Sequence, residues 1–198
     1  MFSGIIEEIG QILEITRKDF DLDLLIKALT ITPILKIGDS ISVNGACLTV
    51  REINHDSFKI SAANETLLLT NLGEMKIGSK VNLESSLTLN KAIGGHLVQG
   101  HITGKSFILE TKNIGESTYI KFKKPDGTDK YIVKKGYIAI DGTSLTICEE
   151  QNDWFEVMII PHTMNHTIAQ NYQIGSMVNI EVDVIGRYLE KFYGAKND

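Results

Sequence analysis

VNGACLTV, residues 43–50, and IDGTSLTI, residues 140–147, are two copies of one pattern. Each sets an aliphatic residue before Asn-Gly or Asp-Gly, follows it with two small residues, and ends in Leu-Thr and another aliphatic. Asn-Gly and Asp-Gly are the preferred pairs for a two-residue type I′ hairpin, because both turn positions need positive φ. The sequence therefore predicts the same β-hairpin twice. The copies differ at one chemically loaded position, Cys47 against Ser144.

The repeat extends far beyond the hairpin. Residues 41–86 match residues 138–183 without a gap, with identities at Gly45/Gly142, Leu48/Leu145, Thr49/Thr146, Phe58/Phe155, Thr70/Thr167, Asn82/Asn179 and Glu84/Glu181. Upstream the register changes by one, and Gly4-Ile5-Ile6 aligns with Gly100-His101-Ile102. A period this long suits two duplicated domains rather than a solenoid. The expected boundary lies near Gly94-Gly95, giving domains 1–96 and 97–186 and a tail 187–198.

Each half reads mostly as β. Phe20, Leu22 and Leu24 alternate with Asp21 and Asp23, a period of two. Short strands punctuated by turn signals predict a small closed barrel. A helical stretch is expected over 65–71, stopped by Gly73, with a counterpart over 162–171. Tyr188, Leu189 and Phe192 stand at helical spacing within 187–194 and predict an amphipathic helix outside both barrels.

Composition narrows the class. The chain has 198 residues, 42% hydrophobic and 23% charged, with net charge -5, an ordinary globular balance. That charge gives no electrostatic case for nucleic acid or an anionic membrane as partner. No apolar run approaches the ~20 residues of a membrane helix, and MFSGIIEEIG lacks a basic start. The expected location is the cytoplasm. Two cysteines give neither a disulfide framework nor a metal-ligand spacing, so reduced thiols and no metal site are expected.

Several residues could carry chemistry. Cys47 and Thr49 share one strand face, as do Ser144 and Thr146. They are small side chains facing solvent or, for Cys47, a small buried cysteine, or else a hydrogen-bonding wall for a planar polar ligand. No base stands near Ser144 in the sequence. GGHLVQGHITG, residues 94–104, packs two histidines and four glycines into eleven residues. His96 and His101 would face opposite sides of a regular strand. His101 replaces Ile5 in the repeat, and an imidazole suits acid–base work near neutral pH. The strand-to-helix junctions at 62–66 and 159–163 could offer backbone groups to a flat heterocycle, or be helix starts and nothing more.

Taken together, MFSGIIEEIG, NGACLTV, TNLG at 70–73, GGHLVQGHITG and IDGTSLT resemble the riboflavin synthase family over the whole chain. The resemblance implies two tandem six-stranded Greek-key β-barrels with a C-terminal α-helix, mainly β, and a homotrimer. It implies dismutation of two molecules of 6,7-dimethyl-8-ribityllumazine by four-carbon transfer, giving riboflavin and 5-amino-6-ribitylamino-uracil with no cofactor. A proton leaves a C7 methyl group and a nucleophile adds to the partner ring. Lumazine synthase is the implied protein partner. Carried over by position, an N-terminal pocket would use Gly4, Ile5, Ile6, Cys47, Leu48, Thr49, Ser61, Ala62, Ala63, Asn64, Glu65 and Thr66. A C-terminal pocket would use Gly100, His101, Ile102, Lys135, Ser144, Leu145, Thr146, Met158, Ile159, Ile160, Pro161, His162 and Thr163. His101 is the candidate for proton handling. Ser144, Thr146 and Cys47 are candidates for positioning or transient addition, and Phe2 and Asp183 match further functional positions. His162 stands where the family often has Glu. The rival on the same fold is a lumazine- or flavin-binding protein that does no chemistry.

Overall fold

A computed structural model describes residues 1–194. Twelve strands form two closed antiparallel barrels. The first contains β1 (Glu8–Lys18), β2 (Asp21–Lys27), β3 (Ser40–Val43), β4 (Ala46–Ile53), β5 (Ser57–Ala62) and β6 (Lys80–Ser85). The second contains β7 (Gly104–Ile114), β8 (Ser117–Lys123), β9 (Tyr137–Ile140), β10 (Thr143–Glu150), β11 (Trp154–Ile159) and β12 (Met177–Val182). Around the first barrel the order is β1-β2-β5-β4-β3-β6, and the second has the same cycle in its own strands.

The period-two pattern fills each interior. Leu22, Leu24 and Ile26 of β2 are fully buried, as are Phe58 and Ile60 of β5. Phe122 and Phe155 stack at 5.4 Å in the second barrel. Phe20 departs from the expected alternation: it lies in the β1–β2 turn, 76% exposed. Closing so few strands requires sharp bends. β-Bulges supply them at Ile12/Glu14 and Val50/Glu52, and again at Ile108/Glu110 and Ile147/Glu149.

Both hairpins have the expected geometry, with positive φ at Asn44, Gly45, Asp141 and Gly142. The turns meet each other. A Cβ on Gly45 would lie 2.7 Å from the Gly142 nitrogen, so neither position tolerates a side chain. Two buried amides sew the barrels together around this contact. Asn82 donates to the Asp141 carbonyl at 2.9 Å and accepts from Ile168 N–H at 2.8 Å. Asn179 donates to the Asn44 carbonyl at 2.8 Å and accepts from Asn71 N–H at 2.7 Å.

The two middle helices are shorter than the sequence predicts. α1 (Asn64–Leu69) and α2 (Pro161–His166) each give way to a 3₁₀ turn, 71–74 and 168–171. The break is Thr70 and its mate Thr167, not Gly73. Both are extended, their hydroxyls donate to the carbonyls of Thr66 and Thr163, and they accept from the N–H two residues on. A threonine hydroxyl that satisfies the helix carbonyl and caps the next turn offers the backbone an alternative to continuing. α3 (Val184–Gly194) starts three residues earlier than expected. Asp183 caps it, accepting from Ile185 N–H at 3.0 Å. Residues 195–198 of the expected tail lie outside the described residues.

Candidate functional site

The site is built where two connecting segments cross between the barrels. Phe2 N–H donates to the Val98 carbonyl at 2.7 Å, and Val98 N–H returns a bond to the Phe2 carbonyl at 3.1 Å. Phe2 and Val98 are repeat mates in the Gly4/Gly100 register, so this bridge lies on the axis relating the halves. Phe2 is fully buried among Val98, Ala139 and Cys47.

From that bridge each segment runs to the other half's barrel. Ser144 N–H donates to the Gly4 carbonyl at 2.8 Å, and Cys47 N–H donates to the Gly100 carbonyl at 2.9 Å. The glycines make this approach possible. Gly4 and Gly100 have φ of +76° and +80°, and Cβ atoms there would lie 2.6 Å from Ser144 Cβ and 2.5 Å from Cys47 Cβ. The expected grouping is therefore crossed. Gly100, His101 and Ile102 line a cleft of about 230 Å³ with Cys47, Glu65 and Thr66 of the first barrel, and Ile102 packs on the first barrel's core. Gly4 meets Ser144 of the second barrel, not Cys47.

At the second barrel Ser144 has an imidazole that its local sequence lacks. His96 Nδ1 lies 2.7 Å from Ser144 Oγ. His96 is buried, and its ring stacks on Tyr137 with centroids 5.2 Å apart and planes 10° apart. Burial pushes the His96 pKa below its ordinary value, and the Asp183 carboxylate pulls part of the way back; desolvation disfavours the charged imidazolium. A neutral ring protonated on Nε2 presents Nδ1 as acceptor for the Ser144 hydroxyl proton. Gly95 is packed too tightly for any Cβ, which would sit 2.3 Å from the Ser3 carbonyl oxygen and 2.7 Å from Ser144 Oγ.

The remaining candidates divide by face. Cys47 and Ser144 are half-buried, and Thr49 and Thr146 are exposed beside them on the same outer faces. Leu48 and Leu145 point into the barrel cores, as do Ala62 and Ile159, so only their backbones can meet a ligand. Ser61 and Met158 face outward, and the Ser61 hydroxyl is held by Asp23. Ala63, Asn64, Ile160 and Pro161 are exposed at the helix starts, with Thr163 half-buried next to them. His162 is exposed and stacks on His166 at 4.2 Å. Ile5 is exposed and Ile6 half-buried, on the stretch leaving Gly4. Lys135 is exposed in a turn, with φ of +68° where its mate Gly38 has +93°.

His96 and Tyr137 are the functional candidates that sequence reasoning passed over. His96 stood in the glycine-rich segment, but its partner is forty-eight residues away. Among the described residues no three His, Cys, Asp or Glu side chains are grouped to hold a metal ion, and no helix is long and apolar enough to cross a membrane.

Each of the two barrels matches one copy of a known domain. The family described as "Lumazine binding domain" matches the chain twice, over residues 3–86 and 99–183. Solved structures of LumP complexed with riboflavin and with 6,7-dimethyl-8-(1'-D-ribityl) lumazine superpose with TM-scores of 0.86 and 0.84, at 26% and 25% identity, each covering 92% of this chain and 100% and 99% of LumP. The riboflavin synthase of Actinobacillus pleuropneumoniae is 42% identical over 97% of this chain and 89% of its own. That of Schizosaccharomyces pombe is 42% identical over 98% and 95%, and that of Bacillus subtilis 39% over 100% and 92%. The chain belongs to the riboflavin synthase family, a family of transferase enzymes.

Proposed function

We propose that this protein is a riboflavin synthase that dismutates two molecules of 6,7-dimethyl-8-ribityllumazine into riboflavin and 5-amino-6-ribitylamino-uracil. The observation that carries the reading is a duplicated site whose copies differ: Ser144 is hydrogen-bonded to a buried imidazole whose pKa is pushed down by burial, whereas its mate is Cys47. Two identical substrates playing different roles need two similar but unequal pockets. His96 and Ser144 act as a relay that takes a C7 methyl proton at the second barrel. His101, in the Cys47 cleft, handles protons for the ring held at the first. Cys47, Thr49 and Thr146 orient the rings, and Asp183 and Phe2 hold the frame. Four carbons move from one ring to the other, so atoms and electrons balance within the pair and no oxidant is consumed.

The domains are 1–96 and 97–186, and the working particle is a cytoplasmic homotrimer. In it the first barrel of one subunit faces the second barrel of its neighbour, and aligning two reactants in this way can supply roughly 7–11 kcal/mol of a barrier. Exposed Tyr188, Leu189 and Phe192 on α3 are the surface that three copies would cover. Lumazine synthase, the source of the substrate, is the proposed partner. The fold shared with LumP favours a second reading, a protein that holds lumazine or flavin without turnover.

The experiment separates the two. The intact protein is dialysed against EDTA, sized by sedimentation and given the ribityllumazine alone. Equal amounts of riboflavin and the pyrimidine are expected on chromatography. Tight binding without riboflavin would assign the chain to the binding class.

A further inference from the structure

Two buried carboxylates take no part in the proposed chemistry, yet each is saturated by a crossing segment. Glu84 of β6 is fully buried and accepts from Ser3 N–H at 2.8 Å, the Ser3 hydroxyl at 2.8 Å and Gly4 N–H at 3.0 Å. Glu181 of β12 is its repeat mate, 3% exposed. It accepts from Gln99 N–H at 2.7 Å, Gly100 N–H at 2.9 Å and His101 N–H at 3.1 Å. Both segments lie outside the regular strands, so these carboxylates satisfy N–H groups that no sheet ladder could reach. Bonds to an ionised acceptor are the strong class.

Each grip is on one barrel and its result is on the other. Glu181 belongs to the second barrel, but the segment it holds places Gly100 on Cys47 and His101 in the first barrel's cleft. Glu84 belongs to the first barrel, but the segment it holds places Gly4 on Ser144. We infer that Glu84 and Glu181 are reciprocal positioning residues, each fixing from its own barrel the wall of the pocket in the other. Burial pushes both carboxyls up, and the N–H bonds, with Lys91 near Glu84 and Arg187 near Glu181, pull them back. A glutamine keeps the length but turns an NH₂ group toward a ring of donors, so at least one bond is lost and the segment loosens. The effect on turnover rests on the proposed function; the crossed grip itself does not.

Thiol reactivity reads the grip without any substrate. The chain has two cysteines, so Cys148→Ser leaves Cys47 as the sole thiol of the full-length protein. In that background Glu181→Gln is expected to speed labelling of Cys47 by a small disulfide reagent roughly tenfold, the scale of one lost charge-assisted bond. Glu84→Gln is expected to leave it unchanged. With Cys47→Ser, Cys148→Ser and Ser144→Cys combined, the pattern should reverse: Glu84→Gln exposes the introduced thiol and Glu181→Gln does not. Glu181→Asp and Glu84→Asp keep the charge on a shorter arm and give the same crossed pattern at smaller amplitude if the glutamine variants fold poorly. Equal acceleration of both probes by either substitution, faster labelling only in the carboxylate's own barrel, or no change in any variant would overturn the inference.

Discussion

The first barrel holds Cys47 where the second holds Ser144, and the surroundings diverge further than that exchange. Ser144 is met by His96, with Tyr137 stacked on the ring and Asp183 acting on its charge. The mates of Tyr137 and Asp183 are Ser40 and Ser86, so neither the ring nor the carboxylate recurs beside Cys47. The seam between the barrels is equally uneven. Asp141 is fully buried and accepts from the Tyr172 hydroxyl at 2.6 Å, whereas its mate is neutral Asn44 and Tyr172 is matched by Met75. Duplication kept the strands, bulges, hairpins and the buried Glu84/Glu181 pair, and changed the groups around Ser144 and at the seam. A fold can thus be copied whole while its two sites are specialised by a few side chains, most of them on the barrels and one, His96, on the connecting segment.

The largest effect should come from the relay. His96→Gln and Ser144→Ala are each expected to slow turnover by 10²–10⁴-fold, the range for a positioned acid–base group, while ribityllumazine still quenches protein fluorescence. His101→Gln, in the other cleft, should cost less. Equal losses at His96 and His101 by steady-state kinetics would break the contrast between the sites.

The seam should show itself in stability. Burial raises the Asp141 carboxyl to about 7, against the partial opposition of its bonds from Asn179, Tyr172 and Asn71. The folded state therefore holds a proton that the unfolded chain releases near the ordinary carboxylate value of about 3.9. Stability from this group is full below that value, falls as pH rises toward 7, and stays at its lower level above it. Asp141→Asn, which copies Asn44, should flatten this part of the pH profile and raise the thermal midpoint at pH 8, read by circular dichroism. An unchanged slope between pH 4 and 7 would show that Asp141 stays ionised in the fold.

The smallest effect belongs to the exchange that first marks the repeat. Cys47→Ser makes the two hairpin motifs more alike but brings no imidazole with it. Turnover should fall less than about tenfold, below the loss of even one catalytic proton-transfer group. A gain or loss as large as that of Ser144→Ala, measured side by side, would mean the sulfur itself does chemistry.

Much of the architecture was legible in the sequence for local reasons. Asn44-Gly45 and Asp141-Gly142 could hardly be anything but tight hairpins, because few residues accept positive φ twice in succession. Leu22 and Leu24 announced an inward strand face, although Phe20, expected on the same face, lies exposed in the turn before it. The ends of α1 and α2 were misread because the stop is a threonine hydroxyl bonded back to the preceding turn, and glycine is the more familiar signal. The site was half legible. Cys47, Ser144, Phe2 and the histidine-rich segment all stand at it, but they were sorted into pockets by position along the chain, and the chain crosses over.

The sequence by itself determined the duplication, the barrel class and the chemical difference between the halves, since each follows from periodicity, turn chemistry and residue identity over short spans. Only the tertiary structure decided which segment completes which pocket, that the His96 ring is hydrogen-bonded to Ser144, and that Glu84 and Glu181 are buried and accept bonds from the crossing segments. Those facts depend on contacts between residues forty-eight to eighty-two positions apart, and no local pattern encodes them. They arise because the segments before each barrel, left without a strand partner, must satisfy their backbone N–H groups on buried acceptors, and those acceptors stand at the junction where the two barrels meet.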